Sequence, residues 1–196
     1  MVKWILVSLA LAGLVGGACT SVAEAGRSSL PPDTSSYDES PTALRGQAAI
    51  RNVAGDPIGL ATFRDTRLGV RVEVKAIGLP PGRHGLHIHA VAKCEPPDFA
   101  SAGPHFNPNG KTHGIAGSVS AHAGDLPNLE VGADGRARLL FYDPHLSLNK
   151  AASNGLSAFG IVAGTSIVVH ASADDEHTDP SGNSGARIAC GSISVG

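Results

Sequence analysis

The chain has 196 residues, a formal net charge of −2 and only 16% charged residues, so its overall charge gives no indication of binding to nucleic acid or to an anionic membrane. Any attraction for an anion must therefore be local. Hydrophobic residues make up 42% and aromatic residues 4%, which leaves the core to Val, Ile, Leu and Ala. The 25 glycines indicate many turns and favour an all-β fold over a helical one.

The first 25 residues have the features of a signal peptide. The apolar run Trp4–Val15 follows one basic residue, and its 12 residues are too few to cross a bilayer. Two cleavage sites follow it. Gly17–Thr20 is similar to a lipobox, in which Cys19 would be lipidated, and Ala23–Ala25 is an A-x-A site for ordinary secretion. Both predict export to the periplasm or cell envelope, with a membrane anchor only in the first case.

The segment 26–43 is rich in Ser, Pro and Asp and has no hydrophobic periodicity, so it is predicted to be a flexible linker. The folded domain is predicted to span 44–196.

Short alternating segments predict β-strands in this domain. Val70, Val72 and Val74 alternate with charged residues, as in a half-buried strand. Asp134-Gly135 indicates a hairpin turn. Further strands are predicted at Ile58–Phe63, Leu129–Val131, Arg138–Phe141, Ile167–His170 and Ile188–Ile193. With no helical period in any window, this pattern predicts an all-β sandwich or flattened barrel.

Two long segments interrupt the strands. Cys94–Asp125 shows no clear strand until Ile115–Val119, which is interpreted as one, and Asp174–Arg187 is polar and glycine-rich. Long loops in compact domains are usually functional or disordered. The first carries three His and an Asp, which favours function.

His87 and His89 form a His-x-His motif on a predicted strand. Because side chains alternate along a strand, both imidazoles lie on one face, close enough to hold one metal ion. His170, on a later strand, adds a third imidazole, and such a set suits copper.

The first long loop supplies His105, His113, His122 and Asp125, with spacings of eight, nine and three residues. These spacings are too wide for one helix face, so a folded loop must gather the four side chains. Three imidazoles and a carboxylate make a closed tetrahedral zinc site.

The three cysteines fit an exported protein. If Cys19 is lipidated or removed, Cys94 and Cys190 remain, and the simplest state of such a pair is one disulfide. The alternative, a pair of thiolate metal ligands, is disfavoured because His and Asp already supply a full set.

Six stretches together resemble the copper/zinc superoxide dismutase family, in order and with every metal-ligand position filled. They are Gly85–His89, Ser101–Pro108, Lys111–Gly114, His122–Leu126, Val168–His170 and Gly185–Gly191. The resemblance runs from about Leu44 to the end and implies a Greek-key β-sandwich or flattened barrel with two long functional loops.

The resemblance also implies roles. Copper would be bound by His87, His89, His105 and His170, and zinc by His105, His113, His122 and Asp125, with His105 as the bridge. Asp174 would be the carboxylate that hydrogen-bonds a copper ligand and a zinc ligand, with Asp175 as its rival. Cys94 and Cys190 would form the intrasubunit disulfide. Arg187 would attract and position superoxide, which is dismutated to oxygen and hydrogen peroxide as copper alternates between two oxidation states.

Two other functions stay open at this point. A copper-binding or chaperone-like protein on the same fold is disfavoured by the complete ligand set and Arg187. A zinc-only structural domain would leave His87 and His89 incidental. The partner expected is the superoxide anion, with no nucleic acid, and the chain would be a monomer or a homodimer. His84 is expected to be structural, and no firm role is predicted for His145 or His177.

Overall fold

The computed structural model describes residues 43–148, 159–160 and 164–196. The predicted signal peptide, Cys19 and the predicted linker up to residue 42 lie outside the described residues. In the described ranges no helix is long and apolar enough to cross a membrane.

Eight strands carry the fold, and in β1 and β3 buried side chains alternate with more exposed ones, as the sequence predicts for β3. In β3, Val70, Val72 and Val74 are fully buried while Arg71 and Glu73 face outward. The main strands are β1 (Arg45–Asn52), β2 (Pro57–Thr66), β3 (Gly69–Ala76), β4 (Gly82–His89), β5 (Asp125–Val131), β6 (Ala137–Asp143), β9 (Ser166–His170) and β10 (Arg187–Ser192). The short strands are β7 (Leu146–Ser147), β8 (Phe159–Gly160) and β11 (Ser194–Val195).

The eight main strands form one antiparallel sheet in the order β10-β9-β4-β5-β6-β3-β2-β1, and β10 also pairs with β1. That pairing closes the sheet, so it has the flattened-barrel form of the predicted all-β fold. The connection from β3 to β4 skips over β6 and β5, and the chain enters β9 beside β4, which is Greek-key topology. The predicted fold class is confirmed.

The core lies inside the barrel and is built from the inward residues of all eight strands. Phe63, Ile50, Leu86, Ile88 and Ile167 are among its largest side chains, each with less than 2% of its surface exposed. A fully buried side chain of this kind stabilises the fold by about 1.5–3 kcal/mol. The core therefore holds β4 and β9 rigidly from the inside, while their outer faces carry the polar groups.

The predicted hairpin joins β5 to β6. Gly132 N–H donates to Arg136 O at 2.9 Å, and Gly135 has a φ of 72°, in the left-handed region where glycine is favoured. Val131 pairs directly with Ala137 across the turn.

Two long loops lie outside the barrel, one from Ala90 to Gly124 and one from Ala171 to Ala186. The first contains a short 3-10 turn at Ala100–Ala102. The apolar segment Ile115–Val119 is not a strand, contrary to the sequence interpretation: it forms turns, and Ile115 is 63% exposed and Val119 75% exposed. It lies between His113 and His122, which are both predicted to bind zinc. The loop conformation that gathers these two residues leaves the apolar segment at the surface.

The predicted disulfide between Cys94 and Cys190 is confirmed, with a sequence separation of 96 residues. It ties the first loop to β10. In the chain-entropy account, closing a loop of this length stabilises the fold by about 4 to 5 kcal/mol, because it restricts the unfolded chain.

Candidate metal centre

Three of the predicted copper ligands are brought together by two neighbouring strands. Leu86 of β4 lies opposite Val169 of β9. His170 is the next residue of β9 and therefore lies beside His87 and His89. The ring centroid of His87 is 4.9 Å from that of His170, and that of His89 is 5.6 Å from it.

The fourth imidazole, His105, comes from the first long loop, which returns to β4. His105 forms a β-bridge with His89, and Phe106 N–H donates to Ile88 O at 2.8 Å. Ile88 N–H in turn donates to Gly124 O at 2.8 Å. Gly124 is required here because a Cβ would lie 2.3 Å from Ile88 O.

Two of the four imidazoles are oriented by backbone carbonyls. His89 Nδ1 lies 2.8 Å from Gly103 O, and His170 Nδ1 lies 3.1 Å from Gly185 O. Since a carbonyl can only accept, each Nδ1 carries the proton. The Nε2 atoms are left with free lone pairs, and they lie 3.4 Å apart.

The other two imidazoles present nitrogens that have no protein partner. His87 Nε2 donates to Asp174 Oδ2 at 2.9 Å, which leaves Nδ1 as its free atom. Both His87 Nδ1 and His105 Nε2 are buried and have no hydrogen-bond partner among the described residues. Ligand atoms of the four residues lie within 4.8 Å of one another: His87, His89, His105 and His170. Buried nitrogens without partners are costly, and a bound metal ion satisfies all four, so these residues fit copper.

The second set converges on the Asp125 carboxylate. Its Oδ1 is 3.0 Å from His105 Nδ1, 3.0 Å from His113 Nδ1 and 3.3 Å from His122 Nδ1. Its Oδ2 accepts hydrogen bonds from Gly114 N–H at 3.0 Å and His122 N–H at 3.1 Å. Three imidazole nitrogens and one carboxylate oxygen around one point are a donor set that fits tetrahedral zinc.

His105 belongs to both sets, with Nδ1 facing Asp125 and Nε2 facing the other three imidazoles. A further grouping of His87 with His105, His113 and Asp125 also lies within 4.8 Å. It is not an independent site. His87 Nε2 is engaged by Asp174, and the zinc set is completed instead by His122, whose Nδ1 is 3.4 Å from His105 Nδ1.

Asp174 joins the two sets from outside. Its Oδ2 accepts from His87 Nε2 at 2.9 Å and its Oδ1 from His113 Nε2 at 2.8 Å. Asp175, the rival from sequence, touches neither imidazole. Its carboxylate accepts from Thr178 N–H at 2.8 Å and so stabilises the second loop itself.

Two residues that sequence reasoning missed hold Asp174 in place. Asn128 of β5 is buried; its Oδ1 accepts from Asp174 N–H at 2.7 Å and its Nδ2 donates to Asp174 O at 2.9 Å. Gly182 has a φ of 61°, and a Cβ there would overlap Asp174 Oδ1. No pattern in the sequence around Asn128 indicates this role.

Burial keeps most of these imidazoles neutral. Desolvation lowers the pKa of His89 to about 2, that of His170 to about 3 and that of His105 to about 4. It also lowers the pKa of His87. Neutral imidazoles are the form that binds metal ions, so the set is ready for a metal at any physiological pH.

Around the zinc set, the carboxylates of Asp125 and Asp174 favour a charged imidazole rather than a neutral one. Burial alone would raise the pKa of Asp125, but hydrogen bonds from His105, His113 and His122 hold it well below the usual range. Burial lowers the pKa of His113, yet hydrogen bonds to Asp125 and Asp174 outweigh this and raise it to about 10. The site therefore favours positive charge between the two carboxylates, which is what a zinc ion provides.

Arg187 begins β10 directly opposite His170 in the ladder. Its Nη1 donates to Phe99 O at 2.7 Å and its Nη2 to Gly103 O at 2.7 Å. Gly103 O is also the acceptor for His89 Nδ1, so one peptide orients both an imidazole and the guanidinium. Burial lowers the pKa of Arg187, and the negative charge of Asp98 partly offsets this by favouring the charged guanidinium.

The centre opens to solvent through a cleft of about 880 Å³ beside Arg187. The lining includes three of the four copper-set imidazoles, so a small anion that enters meets the guanidinium and the imidazoles together. The lining includes the strand residues His89, His170 and Arg187 and the loop residues Pro104, His105, Asn107 and Ser181.

The remaining histidines lie outside both sets. His84 is buried between two carbonyls, with Nδ1 2.8 Å from His170 O and Nε2 2.8 Å from Pro80 O, so its contacts are structural. His177 is exposed on the second loop, and its Nδ1 lies 2.6 Å from Asp175 O. His145 N–H donates to Asp143 Oδ1 at 2.8 Å, on the connection that follows β6.

Replacing Asp174 by Asn should weaken binding of both metals by about 10- to 100-fold, because partners that orient metal-bound imidazoles have effects of that size. Competition with a chelator, followed separately for copper and zinc, measures this. Asp175→Asn removes the adjacent carboxylate and serves as the control, with metal affinities expected near those of the unaltered protein. Equal losses in both variants would show that Asp174 acts only through the fold of the loop.

Comparisons with known proteins match the part of the chain that carries both ligand sets. A sequence profile of the family described as copper/zinc superoxide dismutase (SODC) matches residues 58–193. The chain is 42% identical to "Superoxide dismutase [Cu-Zn] 2" of Aquifex aeolicus, over 76% of this chain and 86% of that protein. It is 40% identical to "Superoxide dismutase [Cu-Zn]" of Caulobacter vibrioides, over 74% and 83%.

Solved structures agree with the sequence matches. A superoxide dismutase-like protein from Bacillus subtilis has a TM-score of 0.66 and 40% identity, over 74% of this chain and 96% of that chain. The copper/zinc superoxide dismutase from Brucella abortus has a TM-score of 0.60 and 26% identity, over 76% and 98%. With the ligand geometry, these matches lead to one conclusion: the chain belongs to the copper/zinc superoxide dismutase family.

Proposed function

We propose that this chain dismutates superoxide to oxygen and hydrogen peroxide at the centre described above. Copper is held by His87, His89, His105 and His170, and zinc by His105, His113, His122 and Asp125. The observation that carries the proposal is the convergence of four neutral imidazoles beside Arg187 in an open cleft. Copper supplies the alternating one-electron reduction and oxidation, and zinc supplies a fixed positive charge.

The protein's own groups bind and position the substrate. Arg187 keeps its charge at any physiological pH and presents a planar group with several donors, which suits a small anion. Two of its N–H groups are held by the carbonyls of Phe99 and Gly103, so the guanidinium is immobilised before superoxide arrives. Peroxide formation takes up two protons. His105 Nε2 could hold one of them only when it is not bound to copper, and the open cleft admits protons from solvent.

The geometry does not favour the two alternatives. A zinc-only domain has no use for the buried, unpartnered nitrogens His87 Nδ1 and His105 Nε2. A copper chaperone must release its ion, whereas His87, His89 and His170 are each fixed by a separate acceptor behind the ring. These imidazoles are built to keep copper in one position.

The protein loaded with both metals should hold one copper and one zinc per chain and accelerate the loss of superoxide. Elemental analysis and pulse radiolysis measure the two properties. His170→Ala, which removes a copper ligand but no zinc ligand, is the matched control and should keep zinc while losing most of the activity. The proposal fails if the doubly loaded protein removes superoxide no faster than buffer.

Arg187→Ala should lower kcat/KM by about ten-fold or more and flatten its dependence on ionic strength, since a fixed cation at the cleft attracts the anion. Both metals should remain bound, because the Arg187 side chain donates to two backbone carbonyls and to no metal-ligand side chain. Arg187→Lys should recover part of the rate, as it restores the charge without the planar geometry. Unchanged activity in the alanine variant would remove Arg187 from the mechanism.

We propose further that the chain works outside the cytoplasm, in the periplasm or cell envelope, as a monomer or a homodimer. The apolar run Trp4–Val15 and the two cleavage motifs support export. The Cys94–Cys190 disulfide suits an oxidising compartment. Lipid attachment at Cys19 would hold the protein at a membrane.

Mass spectrometry of the mature protein should find its first residue at a lipidated Cys19 or at Gly26, with Cys19→Ser as the variant that blocks lipidation. A mature protein that retains Met1 would contradict export.

A further inference from the structure

The outer face formed by β1, β2, β3 and β6 is unusually basic for a chain of net charge −2. We call it the basic face. Its outward positions on the four strands carry six cations and one carboxylate: Arg45, Arg51, Arg64, Arg71, Lys75, Arg138 and Glu73. Asp65 and Asp143, the other acids of these strands, point away from this face. Asp65 Oδ1 accepts from Leu148 N–H at 2.8 Å, and Asp143 is buried.

Three of the cations stand side by side across adjacent strands. Arg45 lies opposite Arg64, Arg64 lies opposite Arg71, and Arg71 lies opposite Tyr142. Neighbouring strands are about 4.8 Å apart, and like charges directly opposite each other destabilise a sheet. An anionic surface laid over this row would relieve the repulsion.

Glu73 alone cannot neutralise the face. It is within ion-pair distance of Arg71 at 3.1 Å, Lys75 at 2.9 Å and Arg138 at 3.1 Å. One carboxylate thus serves three cations. Neither Arg45 nor Arg64 has an ion pair with a carboxylate in the part of the chain that the structure describes.

Exposed apolar side chains lie among these cations. Leu60 is 45% exposed and Leu140 is 44% exposed, both at outward positions, and Leu60 lies opposite Lys75. A groove of about 780 Å³ beside Leu60 is lined by Ile77, by the cations Lys75, Arg136 and Arg138 and by one acid, Asp134, among others. Cations interspersed with apolar groups are typical of surfaces that lie in the headgroup region of a membrane.

We propose that the basic face docks on the phosphate headgroups of an anionic phospholipid membrane. The outward leucines distinguish this partner from a nucleic acid, whose backbone offers phosphates but no apolar layer. A second copy on the same face is disfavoured because a two-fold axis would set arginines against arginines. The proposal concerns a surface remote from the metals, and only its biological setting rests on the envelope location proposed above.

The position of this face in the fold fits such a contact. In the closed strand order, β2 and β3 lie opposite β9 and β4, which carry the copper-set histidines. A membrane under the basic face would therefore leave the cleft beside Arg187 open to solvent. The described fold also begins beside this face, because Arg45, the first residue of the arginine row, starts β1.

The test uses the full chain and sedimentation with two kinds of vesicle, phosphatidylcholine alone or with one-third phosphatidylglycerol. The unaltered protein should bind the anionic vesicles more tightly, and the difference should fall with rising salt. Arg45→Gln with Arg64→Gln should reduce the anionic preference by about twenty-five-fold, since each cation near such a surface contributes about a five-fold factor. Any binding by the amino-terminal apolar segment is common to all variants and to both vesicle types.

The matched control removes two exposed cations elsewhere, Arg83→Gln with Lys93→Gln, and should change the preference less than two-fold. Leu60→Ser with Leu140→Ser should weaken the binding that remains at high salt. The proposal is overturned if the arginine variant keeps the full anionic preference, if the control loses as much, or if a DNA duplex binds more tightly than the anionic vesicles. The arginine variant should dismutate superoxide at the unaltered rate, so failure here is separable from failure of the proposed function.

Discussion

The Asp174 carboxylate is the interaction on which the geometry of the centre depends. It lies on the second long loop, yet its two oxygens accept hydrogen bonds from His87 on β4 and His113 on the first loop. An ionised carboxylate in a buried place must be paired to be tolerated, and here both partners are metal-set imidazoles. The two donor sets are therefore aligned with each other through one side chain, and the loops cannot move independently.

A second coupling runs through the Gly103 carbonyl, which accepts from both His89 Nδ1 and Arg187 Nη2. The distance between the imidazole and the guanidinium is thus set by one peptide group. Gly103 has a φ of 75°, in the left-handed region, and a Cβ there would lie 3.0 Å from Val91. Glycine at this position lets the carbonyl turn toward both donors. The Cys94–Cys190 disulfide then fixes the loop that carries it against β10.

Features that depend on local periodicity were predictable from the sequence. The alternation in Val70–Val74 located β3, and Asp134-Gly135 located a turn, because strand faces and turn types are decided within a few residues. The grouping of His87 with His89 follows from the same alternation. The segment Ile115–Val119 was misread because its apolar residues satisfy a strand pattern while neighbouring loop residues are gathered around Asp125.

Features that arise only from contacts distant in sequence were not predictable from pattern. Asn128 is separated from Asp174 by 46 residues, and nothing in its own neighbourhood indicates that it binds the backbone of a loop. The two carbonyls that hold Arg187 lie 88 and 84 residues away from it. A carbonyl has no sequence signature, since every residue has one, so such acceptors become visible only in the folded chain.

The net charge of −2 conceals an uneven distribution of charge. Arg187 at the cleft attracts the substrate, whereas the basic face is a separate surface for docking. The cations of the basic face are on the far side of the barrel from the cleft, and packed sheets are about 10 Å apart before side chains are added. Around the outside of the barrel, where salt screens exposed charges, the path from that face to the cleft is longer still and exceeds the Debye length of about 8 Å at physiological ionic strength. Superoxide near the cleft is therefore attracted mainly by Arg187 and the metal-bound centre, and hardly by the basic face. Contact of that face with an anionic surface can change where the protein sits without changing how it meets its substrate.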